Sequence, residues 1–429
     1  MAKRFTLPFV FAALLCASAD LASGLPEDIG VAGLQSVLEA IRTSLQLPAL
    51  AADPASRLPQ DIDVGVAGDG GLQSVLEAIR TGRQLPALAA VSVHNGQVVE
   101  MAATGVRAIG YEEQVQTDDL WLLNSVSKAI TATLAAVLVD RGLLSWEATI
   151  GEILPDLVPS MRDEYVDVPL RELLYHTGGL PTKLFTEHFS WASLFTDSTP
   201  IIEQRRDYAA ELLAEPPVGP RGEHNYSNAG YVVAGVMMEE VTRVSWEEFV
   251  RVEIFEALGM ASCGFGAPDG SGRDQPWGHW GVPGHWTAIP PALADVVSNI
   301  PPAIGPAGSV HCSVADYAKF MVEHLANATG AKDGIVSADS FDELHSPPPG
   351  SPDYSMGWGV SSSTWAKGRV LEHDGTDWLW VTYVLLAPEI GLGLFVATNS
   401  YDFGGGLDHL IEALIRRHRA GLFLNADGA

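Results

Sequence analysis

Lysine is scarce in this chain: six in 429 residues, while 53 acidic side chains face 25 basic ones and leave a formal charge of -28. A field of that sign repels phosphate backbones and anionic membrane surfaces, so no nucleic-acid partner is expected. Cysteine is scarcer still, at three residues, which excludes a disulfide-built scaffold. Beyond the first residues there is no run of about 18 apolar side chains, so no membrane anchor is expected. HExxH, a phosphate loop, a dinucleotide fingerprint and GxSxG are all missing, and His311 with Cys312 lacks the further ligands a zinc site needs. No cofactor and no metal is therefore expected. What remains is an ordinary globular composition, 47% hydrophobic and 18% charged, in a chain long enough to bury a large core.

The N-terminus reads as a targeting signal over 1–19. Lys3 and Arg4 precede the apolar stretch Phe5 to Leu15, and Ala17-Ser18-Ala19 offers a small-residue cleavage site. A secreted or periplasmic location follows as the expectation. Residues 33–43 and 71–81 share the sequence GLQSVLEAIRT, and LPALAA follows each copy. In the second copy Leu72, Val75, Leu76 and Ile79 fall on one helical face and lead into a strand. The first copy is expected as an appended helix on a linker over 20–68, with the folded domain over 69–425. The two cysteines that survive cleavage, Cys263 and Cys312, could pair; buried free thiols are the preferred expectation.

Strand character flanks the Asn95-Gly96 hairpin signal and returns at Arg369–His373, Leu379–Leu386 and Leu392–Thr398. Between them the chain is mostly helical, a subdomain of about 130–340, and a last amphipathic helix follows Gly404-Gly405-Gly406. The expectation is an α/β (α+β) fold: one antiparallel sheet built from both termini, flanked by helices, with a large mainly helical insertion.

Ser125 and Lys128 stand three apart at the start of a predicted helix, on one face of its first turn. Unpaired amides and the positive dipole end favour an alkoxide there, and a desolvated lysine can take the serine proton. Alone, Ser-x-x-Lys is common on solvated helices. It is followed by Tyr226-Ser227-Asn228 at another helix start, and by His373-Asp374-Gly375 at a strand end. The order parallels the S-x-x-K, S-D-N and K-T-G set of β-lactamases and penicillin-binding proteins.

With these motifs the chain resembles the serine β-lactamase-like superfamily: class C β-lactamases, low-molecular-weight penicillin-binding proteins and family VIII carboxylesterases. The run from Leu173 to Pro181, Glu256–Met260, Pro306-Ala307-Gly308-Ser309 and Gly357-Trp358-Gly359 are similar to runs of that family. The resemblance covers roughly residues 72–418 and implies a β-lactamase/transpeptidase-like fold. It further implies Ser125 as nucleophile, Lys128 as proton acceptor, and Tyr226 as base or as donor to the leaving atom. Asn228 would orient substrate and hold Lys128, and the amides of Ser125 and Thr376 would form an oxyanion hole on the edge strand. His373 and Gly375 would line that side of the site, and His176 would be structural. Since His373-Asp374 replaces a lysine and a hydroxyl, the grip on a substrate carboxylate is expected to weaken, which favours small esters or amides. The alternatives are a D-amino-acid peptidase or β-lactamase, and a catalytically silent binding protein of the same fold. Residues 275–286, with His279, His285 and three tryptophans, could be a substrate rim or a packed loop.

Overall fold

The computed structural model describes residues 71–422, apart from 183, 185, 187, 271, 292, 295–299, 329–333, 352, 403 and 404. The expected signal sequence and the first repeat copy lie outside the described residues. The helices of eight residues or more are α1 (Leu72–Arg83), α2 (Ser127–Asp140), α3 (Ile201–Ala214), α4 (Asn228–Thr242), α5 (Val314–Ala328), α6 (Ala338–His345) and α7 (Gly406–Arg419). The strands are β1 (Ala87–His94), β2 (Gln97–Gly105), β3 (Leu120–Leu122), β4 (Gly264–Phe265), β5 (His279–Val282), β6 (His285–Ala288), β7 (Val310–Ser313), β8 (Gly359–Ser363), β9 (Gly368–Thr376), β10 (Val381–Ala387) and β11 (Leu392–Thr398).

Strands from both ends of the chain join in one antiparallel sheet of order β2-β1-β11-β10-β9-β8. Alternation along the central strands divides two cores, because successive side chains leave opposite faces. Ala87, Ala89, Val91 and Val93 of β1 join the large core shared with α2, α4 and α5, while Leu88 and Ala90 join a smaller one. That smaller core is closed by the amphipathic faces of α1 and α7, with Leu72, Val75, Leu76 and Ile79 all buried as the spacing predicts.

The sheet differs from expectation at its edge. β8 is a sixth, outermost strand, so β9 is not the edge strand; its Ser-rich, half-exposed sequence carries no alternating apolar pattern. The β8–β9 ladder stops at Gly359↔Glu372. Residues His373–Thr376 run past it with β10 on one side only, so the four residues singled out in the sequence keep an uncovered edge.

Two small sheets lie outside the main one, β3-β7-β4 and the β5–β6 hairpin. Cys263 and Cys312 are joined in a disulfide, which corrects the expectation of free thiols. The register Gly264↔His311 sets the two cysteines opposite each other across β4 and β7, with Cα atoms 4.2 Å apart. In the hairpin, His279 is buried with both nitrogens engaged, one to the Ile109 amide and one to the Asn399 carbonyl. Trp277 and Trp286 donate their indole N–H to the Gly270 and Gln84 carbonyls. His279, Trp277 and Trp286 are thus held by the fold, while His285 is exposed. Among the described residues no group of three or more metal-ligating side chains occurs, and no helix is long and apolar enough to cross a membrane.

Candidate active site

Ser125 lies in a 3-10 turn, Asn124–Val126, that leads into α2. The turn is fixed from two sides. Leu123 donates its amide to the Val310 carbonyl, and the Val310 amide donates to Ser127 Oγ, tying it to β7. On the other side Thr382 of β10 donates to the Leu123 carbonyl. Gly375 of β9 passes so close that a Cβ there would sit 2.1 Å from the Leu123 carbonyl oxygen and 2.9 Å from the Ser125 nitrogen. A glycine is required to bring the free edge of β9 against the Ser125 turn.

Lys128 is fully buried at the first turn of α2. Its Nζ lies 3.1 Å from Ser125 Oγ, 2.7 Å from Asn228 Oδ1 and 2.7 Å from the Ala307 carbonyl. Burial drives the amine well below its ordinary range, with Asp374 opposing that shift. A neutral amine has two hydrogens and one lone pair. Asn228 Oδ1 and the Ala307 carbonyl can only accept, so they take both hydrogens and leave the lone pair for the Ser125 hydroxyl. Thr131 donates to the Pro306 carbonyl and holds the Ala307 loop in place.

Tyr226 and Asn228 are presented by the start of α4. Ser227 caps that helix through the Gly230 amide and donates its hydroxyl to the Pro181 carbonyl at 2.5 Å. The Ser227 amide donates to Nδ1 of buried His176, whose ring lies 4.2 Å from that of Tyr226. His176 therefore positions the motif, as the resemblance implies, and burial keeps it neutral. Tyr226 as a residue is over a third exposed, but Lys128 Nζ sits 4.9 Å from its ring centre. Desolvation raises the phenol above its usual value, with Ser125 acting in the opposite direction, so it stays protonated near neutrality.

His373 points from β9 to the same side as Tyr226, with 6.2 Å between ring centres. Its Nδ1 is 2.6 Å from the Asp374 carbonyl, which can only accept, so Nδ1 carries the hydrogen. Nε2 is then left to accept from the Tyr354 hydroxyl at 3.1 Å. Burial lowers the imidazole to about 4, against the pull of Asp374. His373 is a neutral, satisfied side chain, not a cation held out to substrate. Asp374 lies on the opposite face of the sheet, exposed and in register with Tyr383, so only His373 of that pair faces Tyr226. Thr376 is exposed at the end of β9.

The structure thus gathers Ser125, Lys128, Tyr226, Asn228, His373 and Gly375 at one place, with Thr376 next along the strand. Sequence reasoning missed Tyr354 and gave Ala307 no part. Tyr354 precedes the run Gly357-Trp358-Gly359 and Ala307 lies within Pro306-Ala307-Gly308-Ser309, but their contacts, to His373 and Lys128, are made across the fold.

Comparison with known proteins agrees with the fold. The family model described as Beta-lactamase matches residues 72–415. Penicillin-binding protein 4 of Amycolatopsis lactamdurans is 27% identical over 71% of this chain and 78% of its own length. Esterase EstB of Burkholderia gladioli is 29% identical, over 41% of this chain and 46% of the esterase. The D-amino acid amidase from Ochrobactrum anthropi SV3, solved with L-phenylalanine, superposes with a TM-score of 0.63 at 19% identity, covering 83% of this chain and 99% of that one. A model that spans most of the chain, on a sheet and a serine–lysine–tyrosine cluster of this form, places the protein in the Beta-lactamase family.

Proposed function

We propose that this protein is a serine hydrolase that cleaves small esters or amides through an acyl-enzyme on Ser125. The observation that carries the reading is the Lys128 amine, whose two hydrogens are held by Asn228 and Ala307 and whose lone pair faces Ser125. Ser125 Oγ adds to the acyl carbonyl as its proton passes to Lys128 Nζ. The amides of Ser125 and Thr376 receive the oxyanion. Collapse breaks the bond to the leaving oxygen or nitrogen, which takes a proton from the Tyr226 hydroxyl. The Lys128 ammonium then returns a proton to the Tyr226 oxygen, and water releases the acid by the same route. The raised Tyr226 phenol suits the donor role over that of the initial base. The disulfide accords with export to an oxidising compartment, the location the N-terminal signal suggests.

The similarity to a penicillin-binding protein supports a second reading, action on cell-wall-like peptides or β-lactams. The neutral His373 weighs against it, since those substrates present a carboxylate and no cation stands ready at this position. A fluorophosphonate probe tests the proposal directly. It is expected to label Ser125 alone, read by mass spectrometry; an adduct on another serine, or none on the folded protein, refutes the mechanism.

A further inference from the structure

The β9–β10 connection turns within a few residues of Thr376, and its conformation is costly. Trp378 sits at φ +78, in the left-handed region that bulky side chains rarely adopt. Glycine or asparagine would make the same turn without strain. The turn is nonetheless held firmly. The buried Asp377 carboxylate accepts from the Leu379 amide at 3.1 Å and the Trp380 amide at 2.9 Å, and the Trp378 amide reaches Thr376 Oγ1 at 3.4 Å. Asp377, Leu379 and Trp380 are all buried, while Trp378 is turned outward and half-buried. Its ring stacks on Tyr401, from the loop after β11, with centroids 4.9 Å apart and planes 22° apart. A strained, over-determined aromatic two residues past Thr376, at the end of β9, has the pattern of a ligand clamp.

Direction along β9 says which part of a substrate would meet it. Tyr226, the donor to the leaving atom, neighbours His373, upstream of Thr376 on β9, and Tyr354, which is bonded to His373. The leaving group therefore lies toward His373. With the oxyanion at Thr376, the acyl substituent extends the other way, past the end of β9. We propose that the stacked Trp378–Tyr401 pair forms an acyl-group subsite that selects esters or amides of aromatic acids. The inference rests on the Ser125 acyl-enzyme reading for its direction, and on the turn geometry for its chemistry.

The test uses the full chain and p-nitrophenyl esters, so that the leaving group is constant and only the acyl part varies. Trp378→Gly removes the ring and suits the φ of the turn. Its kcat/KM ratio for phenylacetyl over acetyl ester is expected to fall about three- to tenfold, the size of a lost aromatic stack, while Tm stays equal or rises. Trp378→Phe should recover part of the ratio. A ratio unchanged in Trp378→Gly overturns the subsite. Binding of phenylacetamide to the Ser125→Ala protein, by calorimetry, reads the subsite without turnover. Weakening of that binding by Trp378→Gly upholds the subsite even if Ser125 proves not to be the nucleophile. No binding, or binding indifferent to Trp378, overturns it even where the probe labels Ser125.

Discussion

Because burial keeps Lys128 neutral and its hydrogens are held by Asn228 and Ala307, activity should follow its basic form. As pH falls through the depressed value of this amine, the base is lost, so kcat should decline on the acid side. Lys128→Ala should lower kcat by about 10²–10⁴-fold with a modest change in KM, and Lys128→Arg, permanently charged, should not restore it. Steady-state kinetics check both; near-normal turnover would mean that another group activates Ser125. His373 makes a separate prediction about substrate. Short p-nitrophenyl esters should be hydrolysed faster than nitrocefin, because a neutral imidazole forgoes a charge-assisted hydrogen bond worth roughly 1.5–3 kcal/mol to the lactam carboxylate. His373→Lys should move the preference toward nitrocefin. Asp374→Thr should add little, since Asp374 lies on the other face of the sheet. Nitrocefin turned over faster than the esters by the unaltered protein would favour the cell-wall reading instead.

At the level of elements, the site depends on how closely β9 approaches the Ser125 turn. Gly375→Ala would set a methyl 2.1 Å from the Leu123 carbonyl, so strand and turn must part. A displacement near 1 Å at a reacting centre costs roughly 10²-fold in rate, and kcat should fall by at least that order while the far-ultraviolet dichroism stays native. Unchanged turnover would show that the strand does not shape the site. The same elements show what a sequence discloses. α1 was legible because it buries one periodic apolar face, and β1, β10 and β11 because they are short apolar runs bounded by turn residues. The Ser125, Tyr226 and His373 motifs were legible because each stands at the start of a helix or near the end of a strand. β8 was not, as a half-exposed strand of glycine, valine and serine has no apolar period. Neither was the Cys263–Cys312 bond, which depends on a register between strands 49 residues apart. Tyr354 meets His373 only after β8 and β9 have paired, so no local pattern announces it.

Across the whole molecule, the acid-rich composition suits acidic surroundings, yet the interior argues the reverse. Five of the 12 histidines, His176, His279, His324, His345 and His373, are buried, and burial lowers every one of them; His279 and His373 fall to about 4 and His324 to about 3. His324 and His345 lie 2.9 Å apart, so one charge there would disfavour a second. Once unfolded, each regains its ordinary value of 6.5 and binds a proton below it. Between about pH 6.5 and 4 the unfolded chain therefore holds more histidine protons, and stability must fall as pH falls, each group approaching ~1.4 kcal/mol per pH unit. Two buried carboxyls oppose this. Burial raises Glu239, against the attraction of Arg205, and Asp377, against its amide hydrogen bonds, each to about 7, so these bind protons first in the folded state. Relief of surface repulsion also opposes it, but only where carboxylates protonate, below about pH 4.5. From pH 6.5 to 5 the five histidines outnumber the two carboxyls. Calorimetry over that interval should show Tm falling by about 10 °C or more, with net proton uptake on unfolding. A flat or rising Tm would mean that the buried histidines do not stay neutral in the fold.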